Sequence, residues 1–379
     1  MKSFDTIVIG VGGMGSAALW HLARRGQKVL GIERFDLGHS MGSSHGVNRI
    51  IRLAYFEHPS YVPLLRRAFD LWRALESQTG EPLLHVTGGL DVGRPGGVVF
   101  EGSRRSCIEH GVPHEVLSGA DLRRRFPAWC IDDGAAAVFQ PDGGFLLPER
   151  CLLAHAAGAR RAGAVIHEHE PVVSWEAGTD HVRVRTSRQT YEAGQLVLAA
   201  GAWMGELLPN LARLMQPERQ VLGWFATQNP AVFAPERFPV FVHEAEEGIF
   251  YGFPEHQVAG FKIGRYHHLR EIVEPGTLDR TCRPDDEAAL RTAVARYFPD
   301  ANGPLVRATP CMFTNTPDEH FIIDWHPNAA EVLVVSPCSG HGFKFCSVIG
   351  EIVADLLTED RTAHDIAAFR LSRFAETAH

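Results

Sequence analysis

Three side chains that can bind an anion lie close together between residues 45 and 52, namely His45, Arg49 and Arg52. The two arginines flank an Ile-Ile pair, which would present their charges beside an apolar wall. A guanidinium group can bind a carboxylate through two parallel N–H bonds. The spacing therefore indicates a carboxylate-binding segment, while a surface turn with two solvated arginines fits the same spacing equally well.

A lysine and a cysteine are further candidates for chemistry. Lys262 lies in the apolar segment 258–264. An inward side chain there would be a buried cation in need of a partner, and an outward one would be an ordinary surface lysine. Cys311 lies among apolar residues, which by composition alone indicates a small buried side chain. No metal site is expected, because the remaining candidates lack the spacing of metal ligands; they are His320, His326, Cys338 and Cys346.

A glycine-rich turn near the N-terminus predicts a phosphate-binding site. Gly10, Gly12 and Gly15 form the pattern G-x-G-x-x-G between a β-branched run at 5–10 and a helix pattern at 16–25. The first glycine allows the tight turn, the second lets the backbone approach a pyrophosphate, and the third lets the helix pack on the strand. N–H groups at the start of the helix would hold the phosphates.

An acid and two further glycine turns narrow the choice of dinucleotide. Glu33 ends a second strand pattern and can accept hydrogen bonds from a ribose, while an acid there disfavours the 2′-phosphate of NADP. The glycine pattern G-x-G-x-x-G, a fingerprint of dinucleotide binding, does not by itself separate FAD from NAD. A turn at Gly201 after a buried strand, and a turn at 339–344 before a helix, favour FAD. Taken singly, each is as consistent with an ordinary strand-to-helix turn. The second contains Gly340, Gly342, Phe343 and Lys344.

The elements that carry these residues predict a nucleotide-binding fold interrupted by a second sheet. Residues 5–33 have the pattern of a β-turn-α-β unit, and a second such unit starts near residue 150. Residues 88–147 are rich in glycine and proline, and residues 220–315 alternate short strands with turns, which predicts an antiparallel or mixed sheet. From residue 331 the pattern returns to a strand, a turn and a helix. The predicted fold class is α/β.

Composition narrows the class of protein. The chain has 379 residues, of which 45% are hydrophobic and 22% charged, so two domains and a large core are expected. A formal charge of −8 disfavours nucleic acid and anionic membranes as partners. No leader pattern or membrane-spanning apolar run is recognisable. Seven irregularly spaced cysteines do not indicate a disulfide framework. We therefore expect a cytoplasmic protein.

Five segments together resemble one known family, the monomeric sarcosine oxidases and N-methyltryptophan oxidases. They follow one another in register along nearly the whole chain, which is far more specific than the glycine fingerprint. They are GVGGMG at 10–15, GSSHGVNRIIR at 42–52 with Ala54-Tyr55, GIFYGFP at 248–254, CMFTNTPDEHFIID at 311–324 and SGHGFKF at 339–345.

The resemblance implies a particular architecture. A Rossmann-type FAD-binding domain, similar to that of glutathione reductase, would be interrupted by an α+β substrate domain built on a mixed or antiparallel sheet. The FAD-binding domain would comprise residues 1–87, 148–218 and 322–379, and the substrate domain residues 88–147 and 219–321. The resemblance also implies a monomer.

The resemblance implies roles for individual residues. Cys311 would be bonded covalently to the flavin, Arg52 and Lys344 would bind the substrate carboxylate, and Lys262 would activate oxygen. Further catalytic residues beside the flavin would be His45, Arg49 and Tyr251, and the FAD contacts would include Met14, Ser43 and Arg49. In the family a histidine shortly after the oxygen-activating lysine contacts the substrate. Here that stretch is about one residue longer, so His267 and His268 are both candidates.

The implied reaction is oxidation of a secondary amino acid such as sarcosine to an imine, which is hydrolysed to an amino acid and an aldehyde while O₂ becomes H₂O₂. Val47-Asn48 replaces the family's usual Asp-Thr, and Phe56 and His58 stand where small residues are common. These departures leave open a bulkier substrate such as N-methyltryptophan, or a cyclic one such as proline or pipecolate. A dehydrogenase that passes electrons to a carrier is a further alternative.

Overall fold

A computed structural model of the protein describes residues 3–377, so the expected domain limits at residues 1 and 379 lie outside the described chain. These residues form three sheets and eight α-helices. The strands are β1 (Ser3–Ile9), β2 (Val29–Ile32), β3 (Arg49–Ile51), β4 (Leu84–Val86), β5 (Gly89–Gly93), β6 (Glu115–Ser118), β7 (Ala136–Gln140), β8 (Gly144–Leu146), β9 (Val165–His167), β10 (Val172–Ala177), β11 (Val182–Thr186), β12 (Thr190–Leu198), β13 (Gln216–Phe225), β14 (Val240–Ala245), β15 (Gly248–Phe253), β16 (Phe261–Arg265), β17 (Leu305–Asn315), β18 (Ile322–His326) and β19 (Ala329–Ser336). The helices are α1 (Gly13–Arg24), α2 (Tyr61–Thr79), α3 (Val98–His110), α4 (Gly119–Arg125), α5 (Pro148–Arg161), α6 (Met204–Leu207), α7 (Pro284–Tyr297) and α8 (Cys346–Glu359).

The first sheet carries the glycine fingerprint. Its order is β10-β11-β12-β1-β2-β9, and β1 is parallel to both β2 and β12. The carboxyl-terminal half of β12 also pairs in parallel with β19, which in turn pairs antiparallel with β18. Helix α1 packs against α5 and α8 on this sheet. The central strands are apolar because both faces are covered, as expected for parallel strands.

The second sheet is the inserted one. Its order is β17-β13-β16-β15-β14-β5-β7-β6, and it is mixed because β14 and β5 run parallel while the neighbouring pairs are antiparallel. Phenylalanines dominate its core with α7, including Phe233, Phe241, Phe261 and Phe298. A small third sheet, β3-β8-β4, lies beside the long helix α2.

The strands of the two large sheets come from alternating stretches of the chain. Residues 3–32, 165–198 and 322–336 supply the first sheet, and residues 89–140 and 216–315 supply the second. The α/β fold with an inserted mixed sheet is therefore confirmed. The expected limit between residues 218 and 219 falls inside β13, which starts at Gln216, so a limit before that residue fits the strand better. Within residues 3–377, each helix is too short or too polar to cross a bilayer.

Candidate functional site

The fingerprint turn lies between β1 and α1 and requires glycine at two of its positions. Gly10 has a φ of +88°, and a Cβ atom there would lie 2.6 Å from the carbonyl oxygen of Ala199 on the neighbouring strand. A Cβ atom on Gly15 would lie 1.8 Å from the carbonyl oxygen of Gly10. Since β1 ends at Ile9 and α1 begins at Gly13, the N-terminus of the helix lies at the carboxyl end of β1. This is the position in which such folds bind a pyrophosphate.

Glu33 stands at the end of β2 beside this turn. Its Oε2 accepts a hydrogen bond from the N–H of Val11 at 2.8 Å, and its Oε1 accepts one from the N–H of Phe35 at 3.0 Å. The carboxylate is therefore fixed at the rim of the turn, where its remaining lone pairs can accept ribose hydroxyls.

A cavity of about 190 Å³ extends from the fingerprint turn to β17. Most of the expected cofactor contacts border it. They are Gly10, Gly12, Met14, Glu33, Ser43, Arg49, Gly201, Cys311, Gly340, Gly342 and Phe343. Gly15 is instead used in packing α1 on β1, and Lys344 borders a second cavity. The glycine cradle, the helix N-terminus and the fixed acid are the groups that a dinucleotide needs, so the residues present fit FAD.

Cys311 lies in the middle of β17 and is an unusually acidic thiol. Arg49 Nη2 lies 3.7 Å from its Sγ. Burial acts to raise the pKa of this thiol, but a hydrogen bond with His45 and the charges of His45 and Arg49 outweigh burial and lower the pKa to about 6. The sulfur is therefore largely a thiolate near neutral pH, and the thiolate is the nucleophilic form of cysteine.

Two further cysteines border the same cavity without this activation. Burial raises the pKa of Cys338 to about 11 and raises that of Cys346 well above its ordinary value. Cys311 is thus the most acidic of the three. This difference comes from the neighbours of each sulfur and not from its access to the cavity.

The second cavity, of about 70 Å³, adjoins the first. Arg49, Gly340 and Phe343 border both cavities. The lining of the second cavity also includes Ile50, Arg52, Phe56, Glu57, Val242, Tyr251, Phe253, Tyr266, His341 and Lys344. It lies between β14 and β15 of the second sheet on one side and β3 with the segment after it on the other, and the turn that precedes α8 closes it.

Arg52 is a buried cation of the second cavity with two acidic neighbours. Its Nη2 donates to both carboxylate oxygens of Glu57 at 3.0 Å. Its Nε lies 3.7 Å from Oδ1 of Asp91, which is 2% exposed. Burial raises the pKa of Asp91 to about 6, although Arg52 opposes that rise. Arg52 therefore has a buried acid on one side and, on the cavity side, an acid that another carboxylate could replace.

Lys344 is the second cation of this cavity. Its Nζ donates to the carbonyl oxygen of His341 at 2.7 Å and lies 5.3 Å from the ring centre of Tyr55. Burial and the charge of Arg52 lower its pKa to about 7, although Glu57 and Asp91 oppose this shift. An additional anion beside Lys344 would favour its charged form.

Two tyrosines form part of the same wall. Tyr251 in β15 faces the cavity, and burial raises its pKa. Tyr266 follows β16, and its hydroxyl donates to the carbonyl oxygen of Ser339 at 2.6 Å. This bond ties the end of β16 to the turn before α8 and so fixes the Tyr266 ring across the cavity.

Lys262 points inward but is separated from both cavities. It is 1% exposed and is not among the described residues that border either one. Its Nζ donates to the carbonyl oxygen of Gly46 at 2.6 Å and to the backbone and side-chain oxygens of Asn48. Burial and the charge of Arg49 lower its pKa well below the ordinary value, and Glu149 opposes that shift. Lys262 is thus buried against the segment that precedes Arg49, outside the cavity that Arg49 borders.

The expectation that His267 or His268 faces the substrate does not fit their positions. His267 lies between Glu218 at 2.9 Å and Glu319 at 3.0 Å, and these acids raise its pKa to about 9. His268 is buried with its Nε2 3.0 Å from Oδ1 of Asp286. Neither histidine belongs to the described lining of the two cavities. The preceding residue, Tyr266, occupies the wall instead, because the chain turns at His267, whose φ is +52°.

Reasoning from the sequence missed Glu57 and Asp91. Asp91 lies in β5 of the second sheet, so its contact with Arg52 exists only in the folded chain. Glu57 follows Arg52 by five residues, a spacing that by itself indicates no ion pair. Within the described chain, no group of three or more His, Cys, Asp or Glu side chains is arranged to hold a metal ion.

Comparison with known proteins places this geometry among flavoenzymes. The model of the family described as FAD dependent oxidoreductase matches residues 5–356. The chain is 43% identical to a monomeric sarcosine oxidase of Streptomyces avermitilis, with 98% of each chain covered. It is 35% identical to an N-methyl-L-tryptophan oxidase of Yersinia pestis, with 98% of this chain and 99% of the relative covered. Among solved structures, the open form of NikD, an unusual amino acid oxidase, superposes with a TM-score of 0.84 at 26% identity, covering 98% of each chain.

Proposed function

The chain belongs to the FAD dependent oxidoreductase family, and we propose that it oxidises small N-methyl amino acids such as sarcosine. The observation that carries this proposal is the pair of adjoining cavities. One is built for a dinucleotide, the other contains two buried cations, and Arg49 borders both. A substrate in the second cavity would thus lie next to the cofactor in the first. FAD would accept the two electrons and the hydrogen removed from the substrate carbon–nitrogen unit.

The carboxylate of the substrate would bind between Arg52 and Lys344. To reach the guanidinium it would replace Glu57, whose side chain is 12% exposed. Asp91 would stay behind Arg52. The two cations would then face one fixed and one incoming carboxylate, so the charge balance of the buried cluster would not change. This exchange avoids the large cost of leaving a buried charge without a partner.

The lining of the second cavity favours a small substrate. The aromatic rings of Phe56 and Tyr266 form part of its wall. These rings occupy space that a bulky side chain on the substrate would need, so sarcosine is a better fit than an N-methyl amino acid with an aromatic side chain.

Cys311 is the proposed attachment point of the flavin. Its thiolate sulfur would form a thioether with a methyl carbon of the isoalloxazine ring. One hydrogen would leave the methyl group and one the thiol, and these two hydrogens, with their electrons, would pass to O₂ as H₂O₂. His45 and Arg49 would support this step, because both lower the pKa of the thiol.

Oxygen is the proposed electron acceptor. Lys262 lies behind the cavity that Arg49 borders, and although burial and Arg49 lower its pKa, negative charge that develops nearby would favour its protonated form. Positive charge held in a low-dielectric site stabilises negative charge that develops on oxygen as it is reduced. The imine product would be hydrolysed to an amino acid and an aldehyde. By likeness to relatives named monomeric, we propose that the enzyme acts as a single chain.

A substrate panel tests the proposal. Purified protein is assayed for H₂O₂ with sarcosine, N-methyltryptophan, proline, pipecolate and dimethylamine. Sarcosine should be the best substrate, and dimethylamine should be inactive because it has no carboxylate. Equal rates with dimethylamine would contradict the role of Arg52 and Lys344. Substrate-dependent reduction of a dye without H₂O₂ formation would instead indicate a dehydrogenase.

A further inference from the structure

The three residues between His45 and Arg49 form a strained turn. The N–H of Asn48 donates to the carbonyl oxygen of Gly46 at 2.9 Å, and Val47 between them has a φ of +75°. This is a γ-turn with a positive φ at its centre, a rare and strained conformation. Val47 is β-branched, and such residues are genuine outliers in this region. Strain of this kind persists where the surroundings hold it.

Two buried or half-buried charges hold the turn from opposite sides. Oε1 of Glu149 accepts hydrogen bonds from the N–H of Gly46 at 2.7 Å and from that of Val47 at 3.2 Å. Nζ of Lys262 donates to the carbonyl oxygens of Gly46 and Asn48. A carboxylate therefore binds the donors of the turn, and an ammonium binds its acceptors.

The turn brings its two flanking side chains towards Cys311. Nη2 of Arg49 lies 3.7 Å from the sulfur, and His45 is among the groups that lower the pKa of this thiol. In an extended chain, residues four apart would be separated by roughly 13–14 Å. The approach of both side chains to Cys311 therefore depends on the fold of residues 46–48. Glu149 is the second residue of α5, where the helix dipole favours a carboxylate. Its position is therefore set by the helix and not by the 46–48 turn.

We propose that Glu149 is a positioning residue for attachment of the flavin, which it serves by holding the 46–48 turn so that His45 and Arg49 meet at Cys311. The inference rests on the proposed thioether at Cys311. The charged groups around the turn are Glu149 from α5, Lys262 from β16, Arg49 from β3 and Arg307 from β17. Glu149 borders neither cavity within the described chain, so it would act through the turn and not by touching substrate or cofactor.

The test measures attachment of FAD directly. The full chain is isolated from riboflavin-starved cells and FAD is added. The flavin that remains with acid-precipitated protein is then followed with time at several pH values. Glu149→Ala should attach flavin at least about tenfold more slowly, as loss of restraint on a strained turn implies. The pH midpoint of its rate should rise, because the Cys311 thiol would lose its two neighbours. Glu149→Gln keeps an acceptor oxygen and should fall between wild type and Glu149→Ala.

Two further variants separate positioning from general destabilisation. Arg150→Ala changes the next residue, an exposed partner of Glu81, and should behave as wild type. Val47→Gly removes the strain, since glycine adopts positive φ freely. The double variant Glu149→Ala/Val47→Gly should therefore attach flavin faster than Glu149→Ala alone.

Attachment by Glu149→Ala at the wild-type rate and pH midpoint would overturn the inference, and so would a double variant no faster than the single one. Absence of covalent flavin in the wild type would overturn the proposed thioether and this inference together. Covalent flavin in the wild type with an unaffected Glu149→Ala would overturn the inference alone.

Discussion

The guanidinium of Arg49 lies 3.7 Å from the sulfur of Cys311 and also borders the second cavity, where Arg52 and Lys344 lie. One positive charge thus connects the proposed flavin attachment point with the proposed substrate site. The connection is possible because β3, which contains Arg49, joins neither large sheet and lies beside the turn before α8.

Cys311→Ser should abolish covalent flavin, whereas Cys338→Ser should leave it intact. Both sulfurs border the same cavity, but burial raises the pKa of Cys338 to about 11 while the neighbours of Cys311 lower its pKa to about 6. The measurement is the yellow colour of acid-precipitated protein, quantified from the flavin spectrum. Flavin that is fully extractable from the wild type, or lost equally in both variants, would contradict the assignment.

Binding of a carboxylate should weaken as the pH rises through about 7. Lys344 has a lowered pKa of about 7, so its ammonium is present below that pH and is lost above it. An anion needs the charged form, and its binding should raise the pKa of Lys344. Acetate has a carboxylate but no amine to oxidise, and its dissociation constant can be followed from perturbation of the flavin spectrum. Measurements above the Asp91 pKa of about 6 keep that acid ionised.

Two variants serve as controls for this pH dependence. Lys344→Arg should remain charged and bind acetate with little change across the same range. Lys344→Met should bind it weakly at every pH. A wild-type affinity that does not change from just above the Asp91 pKa up to about two units above the Lys344 pKa of about 7 would show that Lys344 does not supply the charge.

Tyr266→Ala should shift preference toward larger substrates. The Tyr266 ring closes the second cavity and is held there by its hydroxyl bond to Ser339. Its removal should raise kcat/KM for N-methyltryptophan relative to sarcosine by about tenfold or more. His268→Ala, which alters a neighbour outside the cavity lining, should leave that ratio unchanged. An unchanged ratio in Tyr266→Ala would show that the Tyr266 ring does not determine substrate size.

Lys262→Met should slow reoxidation of the flavin more than its reduction. Loss of a buried cation that stabilises charge on oxygen should cost at least about tenfold in the oxygen step. Anaerobic reduction by sarcosine should change less, because Lys262 lies outside the described cavity lining. Stopped-flow absorbance separates the two half-reactions, and equal losses in both would show that Lys262 has no particular role in the oxygen step.

Local patterns predicted the fold because each element carried its own signal. The fingerprint between β1 and α1 and the acid at Glu33 need only neighbouring residues to be recognised. The limits of the inserted sheet were less clear, since β13 begins at Gln216, three residues before the expected limit at residue 219. Strand ends depend on partners, and β13 pairs with β17 almost ninety residues later in the chain.

The site was less predictable because its electrostatics come from distant elements. Cys311 appears from composition to be an ordinary buried cysteine, and its acidity depends on His45 and Arg49 more than 250 residues earlier in the chain. Likewise Asp91 reaches Arg52 only through packing of the second sheet against β3. The turn at His267 removes two histidines from the cavity and leaves Tyr266 there, which residue spacing alone does not decide.

The account is tested most directly by mixing the purified protein with sarcosine in the absence of oxygen while the flavin absorbance is recorded. Sarcosine should bleach the flavin, and dimethylamine at the same concentration should not. Admission of air should restore the absorbance and yield one H₂O₂ for each sarcosine consumed. A flavin that stays oxidised with sarcosine and with every other N-methyl amino acid would contradict the account.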